Sequence, residues 1–149
     1  MSHSNIRRAL PDYRWEAVDL LAYKDAGSAP FKDVTRQLLF RTDALGCELR
    51  YFEVAAEGHS TLERHEHAHA VMILRGRGAC LVGAEVRSVG PHDLVHIPPM
   101  TWHQFRANAA EPLGFLCMVN VDRDRPQLPA EPDLVQLRAD PRIAAFIRT

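Results

Sequence analysis

The chain has 149 residues, 46% of them hydrophobic, enough for one globular domain around one core. A formal charge of −1 offers no basic surface to nucleic acid or acidic lipid, and no apolar run reaches the roughly 20 residues of a membrane span, so neither is expected as a partner. The three cysteines, Cys47, Cys80 and Cys117, are scattered and odd in number, and read as reduced, buried small hydrophobes.

The first residues lack a hydrophobic leader, so the expected compartment is the cytoplasm. "YRWEAVDLLAYK" and "VTRQLLFRT" have strand composition without excluding helix, and "DAGSAPF" between them is turn material. From Cys47 the pattern becomes regular. "CELRYFEV" reads as a strand and "AAEGHS" as a turn. "ACLV", "GAEVRSV", "LVHIPP", "TWHQFRA" and "LGFLCMVNV" follow as short strands, separated by turns such as "RGRG" and "NAAEP". Turn signals every eight to twelve residues indicate an all-β sandwich or barrel. After Val121 a polar, proline-rich stretch leads to "DLVQLRADPRIAAFIRT". Its Leu134, Leu137, Ile143, Phe146 and Ile147 fall at helical spacing, Asp133 is placed to cap the start, and Pro141 divides the segment into two short helices. The expected organisation is an N-terminal strand extension over 1–46, a barrel over 47–121 and a C-terminal loop with helices over 122–149.

The chemistry concentrates in one region. Seven of the eight histidines fall from His59 to His103. In "LERHEHAHAVMILRGRG", Glu63, His65, His67 and His69 share strand parity, and His103 lies in a separate strand-like segment after Pro98-Pro99. A solvated polar face is the bland reading. It fits poorly, because the segment runs straight into the apolar "AVMIL".

These two segments resemble the paired motifs of the cupin superfamily. Gly76 matches the glycine that closes the first motif. Counting back from it puts His69 at the usual acidic position, and His65 and Glu63 at the two histidine positions. In the second motif Pro98 and His103 match, while His92 and Met100 stand where glycines are usual and Ala107 where an asparagine is usual. The resemblance covers roughly Cys47 to Val121 and implies a double-stranded β-helix (jelly-roll) barrel. It implies a divalent metal held by Glu63, His65, His69 and His103. That is the family's three-histidine, one-carboxylate set with Glu and His exchanged, and it is similar to the manganese site of ureidoglycine aminohydrolase cupins. A slipped register, in which His65, His67 and His69 bind, is the alternative.

Three imidazoles and a carboxylate without thiolate suit Mn or Fe best, with Zn, Ni and Co also possible. On this register His67 falls at the tip of a turn, either solvated or turned toward the ligands or the substrate. The inward residues include Arg50, Phe105, Phe115 and Cys117. Arg50 either faces the cavity, where it needs an anionic partner, or faces out. Cys117 resembles a cavity-lining cysteine of small manganese cupins, and is otherwise a buried thiol. The implied function is a metalloenzyme acting on a small organic molecule, by dioxygenase-like or by lyase, isomerase or hydrolase chemistry. The alternative is a metal-dependent binding module without turnover. A homodimer is implied by the family's habit alone.

Overall fold

The computed structural model describes residues 5–23 and 32–149. The "DAGSAPF" turn lies outside them. Eleven strands form among the described residues: β1 (Ala9–Leu10), β2 (Arg14–Trp15), β3 (Leu21–Ala22), β4 (Lys32–Thr42), β5 (Cys47–His59), β6 (His69–Arg75), β7 (Gly78–Val82), β8 (Glu85–Val89), β9 (Leu94–Ile97), β10 (His103–Ala107) and β11 (Leu113–Asn120). The helices α1 (Glu131–Arg138) and α2 (Pro141–Phe146) follow. The main antiparallel sheet runs β8-β7-β10-β5-β11-β6-β9, and β4 with β3 adds to it along β5. This is the expected all-β barrel with a strand extension and two short helices.

The long β5 is the keystone. Its first half pairs with β11 on one side and β4 on the other, and its far end passes to β10 through His59 and Arg106. "AAEGHS" is therefore no turn. Its residues stay in the strand as a bulge, with register lost against β4 between Val34 and Lys32 and positive φ at Glu57 (64°) and Asp33 (55°). Turn-forming residues here bend a strand from one sheet to the next instead of ending it.

"YRWEAVDLLAYK" also differs from expectation. Only Arg14–Trp15 and Leu21–Ala22 are extended, because left-handed residues at Asp12, Tyr13 and Ala17 break the run. Asp133 is the third residue of α1 and not its cap, although its carboxylate still accepts the Ala130 N–H at 2.9 Å. Asp140 caps α2 by accepting the Arg142 N–H at 2.8 Å. Leu137, Ile143, Phe146 and Ile147 close one end of the barrel over Leu62 and Leu81.

Strand parity puts Phe52, Val54, Val71, Ile73, Phe105, Phe115, Cys117 and Val119 into a single buried cluster. Their rings form a continuous floor: Phe105 lies 4.4 Å from Phe115, Phe115 5.7 Å from Phe52, and Tyr23 stands edge-on to Phe52 at 5.3 Å.

Candidate metal centre

The strands end around a cavity of about 210 Å³. That is below the ~300–1,000 Å³ of drug-sized pockets, so a small metabolite fits and a large cofactor does not. His65, His67, His69, His103 and Glu63 all line it, as do Arg50, Phe105, Phe115 and Cys117.

Three histidines converge. One ring nitrogen from each of His65, His69 and His103 lies within 4.8 Å of the others. The backbone explains how. His69 opens β6 and His103 opens β10. Glu63 sits opposite His103 in an antiparallel bridge, with N–H to O distances of 3.2 and 3.0 Å, so their side chains share a face. The chain then turns through Glu66 and His67, and the His65 carbonyl is fixed by the Met100 N–H at 2.7 Å.

Second partners orient the rings. His65 Nδ1 lies 2.6 Å from the His67 carbonyl and His103 Nδ1 lies 2.9 Å from the Thr101 carbonyl. A carbonyl only accepts, so each Nδ1 carries the proton and each Nε2 carries the lone pair. The Nε2 atoms of His65 and His69 are buried without a hydrogen-bond partner among the described residues. Buried orphan acceptors are costly unless something binds them, and a divalent ion is what neutral imidazoles at this spacing accept. The residues therefore fit a metal.

Glu63, expected as the fourth ligand, is buried and lines the same cavity but is not in the group of converging ligand atoms, and one of its carboxylate oxygens accepts the Tyr23 hydroxyl at 3.2 Å. Burial, reinforced by that carboxylate, pushes the Tyr23 hydroxyl well above its ordinary pKa and keeps it protonated.

His67 differs from expectation. It stacks on His65, with ring centres 3.7 Å apart and planes 5° apart, and only 8% of its side chain is exposed. Asp124 holds it. The carboxylate accepts the His67 Nδ1–H at 2.7 Å and the backbone N–H groups of Glu66 and His67 at 2.7 and 3.0 Å. Those bonds keep Asp124 ionised, well below the usual carboxylate range. Arg50 faces inward, 8% exposed, with Nη2 3.6 Å from Cys117 Sγ and its guanidinium 4.8 Å from the Phe52 ring centre. Burial raises the Cys117 thiol pKa, and Arg50 opposes that rise.

The sequence reading missed Tyr23, Arg36 and Asp124, which line the same cavity. A lone tyrosine, arginine or aspartate far from the motifs carries no periodic signal. Only closure of the chain brings them in.

Burial, with His103 nearby, lowers the His65 pKa to about 4, and burial also drives His69 well below its ordinary value. Both folded values lie below the unfolded one of about 6.5. Their contribution to stability is thus fully present above pH 6.5 and is lost as pH falls toward 4, where the unfolded chain takes up protons that the folded chain refuses. The metal-free protein is expected to melt at a markedly lower temperature at pH 5 than at pH 7. The fall should be smaller in the His65→Asn variant. Equal pH slopes in the two proteins would show that His65 is not desolvated as described.

The comparisons agree with this geometry. The Cupin domain family model matches residues 50–119. A 1-methylthio-D-xylulose 5-phosphate methylsulfurylase of Rhodospirillum rubrum is 62% identical over 99% of this chain and 97% of its own. The crystal structure of a cupin 2 conserved barrel domain protein from Rhodopseudomonas palustris is 60% identical. It superposes with a TM-score of 0.92 over 97% of this chain and 99% of that one. A cupin-2 domain structure from Rhodospirillum rubrum is 64% identical, with a TM-score of 0.86 over 93% of this chain and 94% of that one. With near full-length identity at this level, and a barrel that closes three histidines around one point, the chain belongs to the cupin family.

Proposed function

We propose that this chain is a metal-dependent enzyme that removes the methylthio group from a methylthio-substituted pentulose phosphate. The observation that carries the reading is the triad of buried imidazoles, two with Nε2 atoms lacking a partner, at the wall of a small cavity. The substrate class comes from the 62% identical relative, whose name states it for that protein.

In this reading His65, His69 and His103 hold the ion and Glu63 completes the set. Mn or Fe(II) suits three imidazoles and a carboxylate, with Zn, Ni and Co as possible substitutes. Such an ion supplies Lewis-acid polarisation of the substrate's ketone oxygen. The chain's own residues do the rest. The ring floor of Phe105, Phe115 and Phe52 excludes water from the carbon that loses sulfur. His67 is the proton carrier. The sulfur of an acceptor thiol bonds the methylthio sulfur as the carbon–sulfur bond breaks, giving a mixed disulfide and leaving the electron pair on carbon as the enolate of the ketone. His67, whose Nδ1–H is committed to Asp124, takes the thiol proton on Nε2 and returns it to that carbon.

The test is turnover. Protein with metal measured by elemental analysis is incubated with 1-methylthio-D-xylulose 5-phosphate, with a low-molecular-weight thiol as acceptor for the methylthio group. Mass spectrometry should show loss of that group, abolished by chelation and restored by re-adding the ion. His67→Asn should keep the metal and lose at least about 100-fold in rate, the range of general acid–base contributions. Unchanged substrate with fully metal-loaded wild type would sink the proposal. If His67→Asn releases the metal while Glu63→Ala retains it, the ligand set is His65, His67 and His69.

A further inference from the structure

We infer that Arg36 and Arg50 form an anion subsite in the wall of this cavity, one that grips the phosphate group of the substrate. The inference rests on the reaction proposed above and names residues that recognise one end of its substrate. Both arginines line the cavity. The Nε of each is buried without a hydrogen-bond partner among the described residues. Arg50 is 8% exposed, and its contacts are a thiol and the face of a ring, neither of which neutralises a full charge.

The other arginine that lines the cavity is matched. Arg123 pairs with Glu48 at 2.6 Å. The cavity thus holds two guanidinium groups whose buried donors await an acceptor. A buried cation in that state is costly until an anion arrives.

Register puts the two together. Arg36 on β4 is directly opposite Phe52 on β5, and Arg50 lies two residues from Phe52 on the same strand. Residues two apart on a strand share a face, so Arg36, Phe52 and Arg50 all project inward as diagonal neighbours. Arg36, Arg50 and the three histidines line the same cavity. Cation and imidazoles therefore face one small volume.

Guanidinium groups present fixed pairs of N–H donors that match phosphate oxygens, with charge on both sides of the bond. A hydroxyl or a ketone oxygen would satisfy the geometry but leave two charges uncompensated. A ligand that bridges this site carries a phosphate at one end and oxygen donors for the ion at the other.

The test is calorimetric binding of D-xylulose 5-phosphate and of D-xylulose to the purified protein. Wild type should prefer the phosphorylated sugar by about 100-fold or more, the scale of lost charge-assisted contacts. Arg36→Met and Arg50→Met should each weaken the phosphorylated sugar about tenfold or more and leave D-xylulose unchanged. Inorganic phosphate should compete only with the phosphorylated sugar. If Arg50→Met does not fold, Arg36→Met and Arg50→Lys carry the test, the lysine recovering part of the preference. The same preference ratio in wild type and variants overturns the subsite. Turnover separates the two proposals. Arg-dependent preference without release of the methylthio group keeps the subsite and discards the reaction. Release with a KM untouched by Arg36→Met keeps the reaction and discards the subsite.

Discussion

Replacing His103 by alanine is expected to strip the protein of its metal. Altering groups that merely orient a ligand costs about 10- to 100-fold in metal affinity, and deleting one of three converging imidazoles costs more. Elemental analysis should find metal near one per chain in wild type and near none in the variant. Thermal melting gives a second readout. A ligand present at a thousand times its Kd stabilises the state that binds it by about 4 kcal/mol, so the ion should raise the wild-type melting temperature by many degrees and leave His103→Ala unmoved. Without metal the variant should melt close to the wild type, because the imidazole it lacks is buried against those of His65 and His69, with ring centres 4.8 and 5.6 Å away. Stoichiometric metal in His103→Ala would remove this histidine from the ligand set.

The second large effect concerns a residue without a functional group. Gly76 closes β6 with φ of +70°, and a Cβ built there would run into the Pro112 carbonyl. Alanine must therefore adopt a left-handed backbone and push away the segment that enters β11. Each of these costs about 1–3 kcal/mol, so Gly76→Ala should lose roughly 2–5 kcal/mol. The damage would not stay local. β11 pairs with β6 from Gly114 to Met118, and that ladder places Phe115 and Cys117 against Ile73 and Val71, on the strand that His69 opens. Metal affinity should fall along with the melting temperature. Chains of this size lose ~2–4 °C per kcal/mol, so a variant that melts within about two degrees of wild type would show that the turn relaxes freely.

How much of this was legible in the sequence depends on whether a residue's position is set locally. Strand parity is local, and the residues it groups on one face, Phe52, Val54, Val71, Ile73, Phe105, Phe115 and Cys117, are buried together, while it left the direction of Arg50 open. The turn that separates His65 from His69 was legible through Gly76, since a tight backbone approach leaves a glycine in the sequence. His92 and Met100 show the limit of that signal. Both keep a left-handed backbone, φ 73° and 53°, although neither is glycine. The structure retains the bend while the letter that advertises it is gone. His67 reads as solvated in the sequence because the residue that shields and orients it, Asp124, arrives from 57 positions along the chain. Tyr23 and Arg36 are silent for the same reason: they face the cavity only because β4 is laid along β5.

The strand laid along β5 also bears on how such a protein evolves. Tyr23, Val34 and Arg36 belong to the wall of the cavity, yet all precede residues 50–119, the part that matches the family model and carries the histidines. The converging histidines and part of the cavity wall that faces them are thus encoded in separate stretches of the gene. Exchange or drift in the leading stretch can reshape the cavity while the histidine cluster stays intact. A barrel built this way is easily repurposed, and grafting the leading stretch of one such protein onto the barrel of another is a direct route to redirecting an existing metal centre.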